Sequence, residues 1–198
     1  MVHLCHNASL WVNVSNRFLP SMVAAANAVV AGLTYAILGW SPAGAHAATR
    51  NTARFSAICF AIAIAGPALA RFGRRFPSEA ILILAFVAAQ GIHFAAVIAL
   101  LSIFERAHVA HNPLQTAVVF TVGFGLVLVA SLTAQPRVGR CYRATRAIAL
   151  YAIFLIFTLA FATNRVKPLR GLLALFVAAL VLRGSALFQN RAQAASAH

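Results

Sequence analysis

Six apolar stretches, separated by short basic linkers, are the feature that most limits the fold of this chain. A helix rises 1.5 Å per residue, so about 20 apolar residues cross the roughly 30 Å hydrocarbon layer of a bilayer. Windows of that length select residues 19–40, 55–70, 79–104, 115–134, 147–163 and 171–187. The sequence therefore predicts an all-α integral membrane protein, folded as a six-helix transmembrane bundle.

The composition agrees with that fold and restricts the chemistry. Hydrophobic residues make up 62% of the chain and charged residues only 9%, against about 25% charged in soluble domains. Glu79 and Glu105 are the only acids in the sequence, which disfavours paired-carboxylate mechanisms and hard-cation sites. The three cysteines, Cys5, Cys59 and Cys141, lie far apart, so we expect no disulfide and no structural zinc.

The linkers are short and rich in turn-forming residues, as in "GWSPAGAH", "RFGRRFPS", "HNP", "QPRVGR" and "NRVKP". Short links make consecutive helices antiparallel neighbours, which predicts one compact domain over residues 19–187. An N-terminal segment, 1–18, precedes it, and a polar, mobile tail, 188–198, follows it. A signal peptide cleaved after "AHA" at 45–47 is the rival interpretation of the first span, but its apolar run exceeds the usual 7–15 residues of a signal core.

The basic residues are divided unequally between the two ends of the predicted bundle. One end carries Arg17, Arg71, Arg74, Arg75, Arg137, Arg140, Arg143, Arg146, Arg183 and Arg191, and the other carries Arg50, Arg54, Arg106, Arg165, Lys167 and Arg170. The positive-inside rule therefore predicts that both termini are cytoplasmic. Because these cations fall between apolar runs and form no patch interleaved with aromatics, we expect a lipid bilayer and no nucleic acid as the partner of the net +14 charge.

Small residues recur every four positions on three of the predicted helices. They are Ala24, Ala28 and Gly32, then Ala57, Ala61 and Ala65, then Ala85 and Ala89 followed by His93, with Ala96 one turn on. Such faces let helix backbones approach closely in lipid. The spacing predicts that each of these faces packs against other helices, and that His93 points into the bundle.

Asn27, Gln90 and His93 are the polar residues that stand out within the apolar runs, and such residues in a membrane are functional candidates. Gln90 and His93 are three residues apart and lie near one another on one helical face. Two interpretations remain open for His93. It either hydrogen-bonds a carbonyl or Asn27 across a helix interface, or it is an axial ligand of haem iron.

A second intramembrane imidazole is missing from the predicted spans. His46, His108 and His111 fall in the predicted linkers, and the other histidines are terminal. His108 and His111, three residues apart, could bind a metal from one helical turn, but no third ligand lies nearby in the sequence.

Four segments, in order and with comparable spacing, resemble the bacterial ferric reductase-like transmembrane family. They are "ATRNTARFSAICFAIAIAGPALARF" at 48–72, "LAFVAAQGIHFAAVIAL" at 84–100, "TVGFGLVLVAS" at 121–131 and "RVGRCYRATRAIALYAIFLIF" at 137–157. The relatives include the haem-binding membrane subunit of the periplasmic methionine sulfoxide reductase system. The resemblance covers about residues 19–187, and its most specific parts are Thr-Ala-Arg-x-Ser and the spacing of Gly139, Arg143 and Tyr151.

That resemblance implies a protein of the bacterial inner membrane that holds haem b between histidines of separate helices and passes electrons across the bilayer. His93 matches a third-span histidine and would be the metal ligand, with Gln90 as a hydrogen-bond donor on the distal side of the haem or to the groups around it. Arg54, Arg143 and Arg146 would pair with the haem propionates. Electrons would come from a quinol, or from a membrane or soluble redox partner, because the chain has no nucleotide-binding Gly-x-Gly-x-x-Gly segment.

The chain departs from the family pattern at the remaining ligand positions. Gln90 stands where close relatives often have another histidine, and a tryptophan and histidine of the fifth-span motif would fall at Tyr142 and Arg146. Arginine cannot lose its proton to coordinate iron. The sequence thus predicts no catalytic residue and at most the membrane electron-transfer component of an oxidoreductase. The alternative is a haem-free structural or accessory membrane subunit, and a transporter is disfavoured because no acid lies in mid-span.

Overall fold

The computed structural model describes the backbone of residues 2–70, 76–106, 113–134, 142–163 and 169–196, and most side chains between 17 and 185 in those ranges. These residues form six helices and no strand, so the all-α prediction is confirmed. The helices are α1 (Val2–Leu38), α2 (Pro42–Leu69), α3 (Glu79–Ala99), α4 (Pro113–Ala134), α5 (Arg143–Thr163) and α6 (Leu169–Ser196). A π-helical turn, Leu100–Phe104, continues α3.

Three of the described helices are long and apolar enough to cross a membrane, over Arg17–Leu38, Pro42–Leu69 and Glu79–Phe104. The described apolar parts of the other three helices are shorter: Phe120–Ala134, Ala144–Leu159 and Gly171–Ser185. Three candidate spans are therefore established by length and composition, and the count of six stays a prediction.

The helices pack as a ring with one helix outside it. α2 contacts α3, α3 contacts α4, and the ring continues through α5 and α6 back to α2, while α1 lies against α2 and α3. Phenylalanines from four helices fill one half of the ring: the centroid of Phe60 lies 4.8 Å from that of Phe86, 5.7 Å from Phe157 and 5.9 Å from Phe176. The packing of these large aromatic side chains is the main apolar stabilisation at the centre of the helix ring.

α2 begins thirteen residues before the predicted span, so the linker predicted at "GWSPAGAH" is much shorter than expected. Ser41 caps the helix, its side chain accepting a hydrogen bond from the Gly44 amide at 3.1 Å, and Pro42 occupies the first turn. Gly39, with φ +75°, makes the turn from α1. The prediction that His46 lies in a linker is therefore wrong, because His46 is part of α2.

The outer helices also extend beyond the predicted span limits. α1 includes almost all of the N-terminal segment, and α6 runs from Leu169 through most of the tail, to Ser196. Residues 19 and 187 are accordingly not helix ends, because polar residues beyond the apolar run continue the same helices. The predicted mobility of the tail stays a prediction.

The small-residue faces are correct for two helices and wrong for the first. Ala57, Ala61 and Ala65 of α2 and Ala85, Ala89 and Ala96 of α3 are buried, as predicted. On α1, however, Ala28 and Gly32 are exposed, and a Cβ added at Gly32 would meet nothing within 4 Å. Asn27 and Thr34 are buried instead. Polar groups that find partners inside the bundle, not the smallest residues, set the rotation of α1.

Each of the two acids is paired with a base, at opposite ends of α3. At the start of the helix, Glu79 lies 3.0 Å from Arg183 and 3.6 Å from Arg146, and Arg183 also donates to the Ile64 carbonyl at 3.2 Å. After the π-helical turn, Glu105 lies 2.7 Å from His46. At one end these contacts join α3 to α5 and α6, and α6 to α2; at the other they join the turn after α3 to α2.

Candidate ligand site in the helix ring

A cavity of about 500 Å³, open to the outer surface of the bundle between α4 and α5, lies beside the phenylalanine cluster. Its described lining is apolar except for Gln90 and His93, both on α3. The rest of the described lining is Ala53 of α2, Phe86 and Phe94 of α3, Val118, Val122, Gly123, Leu126 and Val127 of α4, and Ile153, Ile156 and Phe157 of α5. The prediction that Gln90 and His93 share one face inside the bundle is confirmed.

Thr52 of α2 holds the imidazole of His93. Its hydroxyl oxygen lies 3.2 Å from His93 Nδ1, 2.9 Å from the Ala48 carbonyl and 3.0 Å from the Thr49 carbonyl. The Thr49 backbone is a further hydrogen-bond partner of the His93 ring. One turn of α2, Thr49 to Thr52, therefore orients the imidazole, and the direction of the Thr52 bond follows the tautomer of the ring.

Gln90 has a different environment, although it lies one turn from His93. The residue is 7% exposed, and its Oε1 is buried without a hydrogen-bond partner. A buried acceptor without a partner costs about 1–3 kcal/mol. The described polar side chains of the lining are thus the Gln90 amide, which carries donors as well as an acceptor, and the His93 imidazole, in an otherwise apolar surface.

Asn27 fixes the helices that carry these groups. Its Nδ2 donates to the Ala89 carbonyl at 2.8 Å and lies 3.4 Å from Ser56 Oγ, so this one buried amide of α1 ties α2 to α3. The sequence predicted a carbonyl or Asn27 as a structural partner of His93. The structure places Asn27 on the Ala89 carbonyl, beside Gln90, whereas the His93 ring contacts the Thr52 hydroxyl and the backbone of Thr49. A carbonyl partner is therefore correct for His93, and Asn27 is not.

The predicted propionate partners do not gather at the cavity. Arg54 lies 3.5 Å from Asn51, which in turn donates to Thr34 of α1, and it is not among the described lining residues. Arg146 is paired with Glu79, fourteen residues before His93, or about 21 Å along α3. The side chain of Arg143 lies outside the described residues.

The described residues offer one imidazole to a haem and no second axial ligand. The wall formed by α4 and α5 is aliphatic at Val118, Val122, Ile153 and Ile156, and Gln90 lies on the same helix as His93. Across the described parts of the chain, no three His, Cys, Asp or Glu residues cluster as a metal site would require. His108 and His111 lie outside the described residues. The described cavity therefore does not fit the bis-histidine haem that the resemblance implies.

Thr52 and the lining from α4 and α5 are the parts of the site that sequence reasoning missed. Thr52 belongs to the Thr-Ala-Arg-x-Ser motif, so its position was visible, but its role was not. A threonine in a helix commonly bonds a carbonyl one turn back. Only the packing of α2 against α3 shows that Thr52 also meets His93.

Comparison with known proteins adds no identity: no family model matches the chain, and neither does any curated protein or solved structure.

Proposed function

We propose that this protein is an integral membrane protein that binds a hydrophobic small molecule in the cavity between α3, α4 and α5. The observation that carries the proposal is the pocket itself, whose described lining is apolar apart from two neighbouring polar side chains of α3, Gln90 and His93. Ligand pockets typically combine such an apolar lining with a few polar groups. A volume of about 500 Å³ lies in the range of pockets that hold organic ligands and cofactors, roughly 300–1,000 Å³.

The proposal corresponds to a haem-free, structural or accessory relative of the ferric reductase-like proteins. Such a protein would keep the bundle and its central space but lack the second histidine. We place it in the bacterial inner membrane with six spans and both termini in the cytoplasm. The supports for this placement are the six apolar runs and the excess of arginine at one end of the bundle.

The test is to fill the cavity from α4. A Cβ at Gly123 would lie 3.6 Å from Phe94 Cζ, an ordinary contact, so Gly123→Leu should fold and occupy the space. Gly125→Leu, two residues away, is the matched control, because a Cβ there meets nothing within 4 Å and Gly125 is not in the described lining. Organic extraction of each purified protein should recover about one hydrophobic molecule per chain from wild type and Gly125→Leu. It should recover little from Gly123→Leu. Equal recovery from all three would contradict the proposal.

Haem b bound through His93 alone is the second candidate occupant. It is favoured by the place of His93 in the lining and by the Thr52 contact, because ligating imidazoles are oriented by a hydrogen bond to one ring nitrogen. Bound there, haem would supply one-electron transfer, and the chain would act as the membrane component of a redox pair.

The absorption spectrum of the purified protein, with a pyridine haemochrome assay, tests this candidate. Haem should be lost in His93→Ala and retained in His46→Ala, because His46 lies in the pair with Glu105 and outside the described lining. A colourless wild-type protein, expressed with haem supplied, would eliminate haem and leave the first proposal standing.

A further inference from the structure

We propose that the Glu79 cluster, formed by Glu79, Arg146 and Arg183, binds the phosphate group of an anionic phospholipid at the surface of the bilayer. The Glu79 cluster lies at the end of the bundle where α3 and α5 begin, and none of its residues is in the described lining of the cavity. Lipid binding there is independent of the proposed cavity ligand.

The Glu79 cluster contains more positive than negative charge. Arg146 and Arg183 share the single carboxylate of Glu79, and no side chain of the three is more than 24% exposed. The other acidic residue of the sequence, Glu105, lies beyond the far end of α3, beside His46. A second carboxylate side chain is therefore missing, and a largely buried cation without a counter-charge is costly. An anion from outside the chain would balance the Glu79 cluster.

Arg146 is the guanidinium of the Glu79 cluster that can take this anion. Arg183 uses both of its terminal nitrogens, Nη2 on Glu79 at 3.0 Å and Nη1 on the Ile64 carbonyl at 3.2 Å. Arg146 Nη2 lies 3.6 Å from Glu79 Oε2, beyond hydrogen-bond distance, and its guanidinium makes no hydrogen bond within the described part of the chain. The planar fork of N–H donors on arginine matches the oxygens of a phosphate group.

The start of α5 adds to the attraction for an anion. The Arg146 amide donates to the Tyr142 carbonyl at 2.9 Å, so Arg146 belongs to the first turn of α5. A helical side chain leans toward the N-terminus of its helix, where the first backbone N–H groups lack acceptors within the helix and attract anions. A phosphate group beside Arg146 would therefore also meet the positive end of α5.

The depth of the Glu79 cluster favours a lipid as the source of the phosphate. Glu79 is the first residue of a candidate span, and Arg146 directly precedes the apolar stretch 147–163. Residues at these positions lie where the hydrocarbon layer meets the headgroups, and basic pockets between helices bind anionic headgroups there. In the sequence, the linkers that join helices at this end add further cations: Arg71, Arg74, Arg75, Arg137 and Arg140.

The experiment compares phosphatidylglycerol, which is anionic, with phosphatidylcholine, which is zwitterionic, both with the same acyl chains. Each lipid is titrated into the full chain in dodecyl maltoside micelles, and the rise in unfolding temperature gives an apparent Kd. The wild type should prefer phosphatidylglycerol. Arg146→Gln should weaken its binding about fivefold, the effect of one arginine near an anionic lipid surface. This variant should fold, because Glu79 keeps Arg183 as its partner. Arg146→Lys, which keeps the charge but not the fork, should lose less.

Arg106→Gln is the matched control, because Arg106 is an exposed arginine beyond the far end of α3. It should bind phosphatidylglycerol as the wild type does, and so should Gly123→Leu, in which only the cavity is filled. Equal wild-type affinity for the two lipids, or an equal loss in Arg146→Gln and Arg106→Gln, would overturn the inference. Inorganic phosphate, titrated alone at constant ionic strength, should not stabilise the protein. If it stabilised the wild type as much as phosphatidylglycerol does, the lipid would be the wrong source. The cavity ligand is tested separately, by the recovery from Gly123→Leu.

Discussion

Asn27 shows how one polar residue organises three helices. Its side chain is fully buried and its amide donates to the Ala89 carbonyl at 2.8 Å, with Ser56 Oγ at 3.4 Å. In lipid, helix association depends on packing and on such interhelical hydrogen bonds, because burial of apolar surface gains little there. Asn27 therefore sets the rotation of α1 and supports the segment of α3 that carries Gln90.

We expect Asn27→Ala to lower the free energy of unfolding by about 1 kcal/mol, in the range of measured interhelical hydrogen bonds. Titration with a denaturing detergent in mixed micelles measures it. Val29→Ala, on the 57% exposed outer face of α1, should change the value by much less. If the two variants were equally stable, the role assigned to Asn27 would be wrong.

Gln90 and His93 could be identified from sequence because their three-residue spacing and their apolar setting are both visible there. The contact between Thr52 and His93 could not, since it depends on the relative rotation and depth of α2 and α3. The same reason explains why Arg54 and Arg146 do not reach the cavity. Their place in a family pattern gave no information on the partners, Asn51 and Glu79, that hold them.

At the scale of the helices, the two ends of α3 are held by polar side-chain contacts of different exposure, an ion-pair cluster at Glu79 and a contact of His46 with Glu105. The Glu79 side chain is 24% exposed, and its partners Arg183 and Arg146 are 14% and 17% exposed. At the other end, His46 is 49% and Glu105 29% exposed. Water screens an exposed pair, so the Glu79 cluster should contribute more to stability.

The prediction is a comparison of two conservative substitutions. Glu79→Gln should lower the free energy of unfolding by about 1–2 kcal/mol, because it leaves two partly buried guanidinium groups without a carboxylate. Glu105→Gln should cost less than about 0.5 kcal/mol, as exposed pairs do. Thermal or detergent unfolding of both variants decides it, and the reverse order would contradict the electrostatic description of α3.

The buried faces of α2 and α3 were predicted correctly from their small residues, whereas the buried face of α1 was not. α2 and α3 pack on neighbours along their lengths, so their alanine faces had to be buried. α1 lies outside the ring and buries only one stripe, and unpaired polar groups are expensive in lipid. Asn27 and Thr34, seven residues apart, therefore take that stripe in place of Ala28 and Gly32. Ser41 and Pro42 are a helix-start signal, so the early start of α2 could also have been predicted from the sequence. A hydropathy window does not detect it, because the first turns of α2 are polar.

For the whole molecule, the sequence predicted the all-α class, whereas the closure of α2 to α6 into a ring could not be predicted. Short linkers specify which helices are sequential neighbours, but not that α6 returns to α2. The cavity is a consequence of that closure, because α3, α4 and α5 surround a space that the phenylalanines fill only at one end.

The topology gives a prediction at this scale. In a chain with Cys5, Cys59 and Cys141 replaced by serine, a cysteine at residue 111 should react with a membrane-impermeant maleimide in spheroplasts. A cysteine at residue 194 should react only after lysis. The reason is the excess of arginine at the end of the bundle where the proposed six spans would place both termini. The opposite labelling pattern would invert the proposed orientation.

The central claim is that the cavity beside Gln90 and His93 is a ligand site, and native mass spectrometry of the wild-type chain tests it most directly. The protein is released from nanodiscs under conditions that strip annular lipid. We predict a species of 21.0 kDa chain mass plus one small hydrophobic molecule. A spectrum that contains only the bare chain, from membranes of cells that express it, would contradict the account.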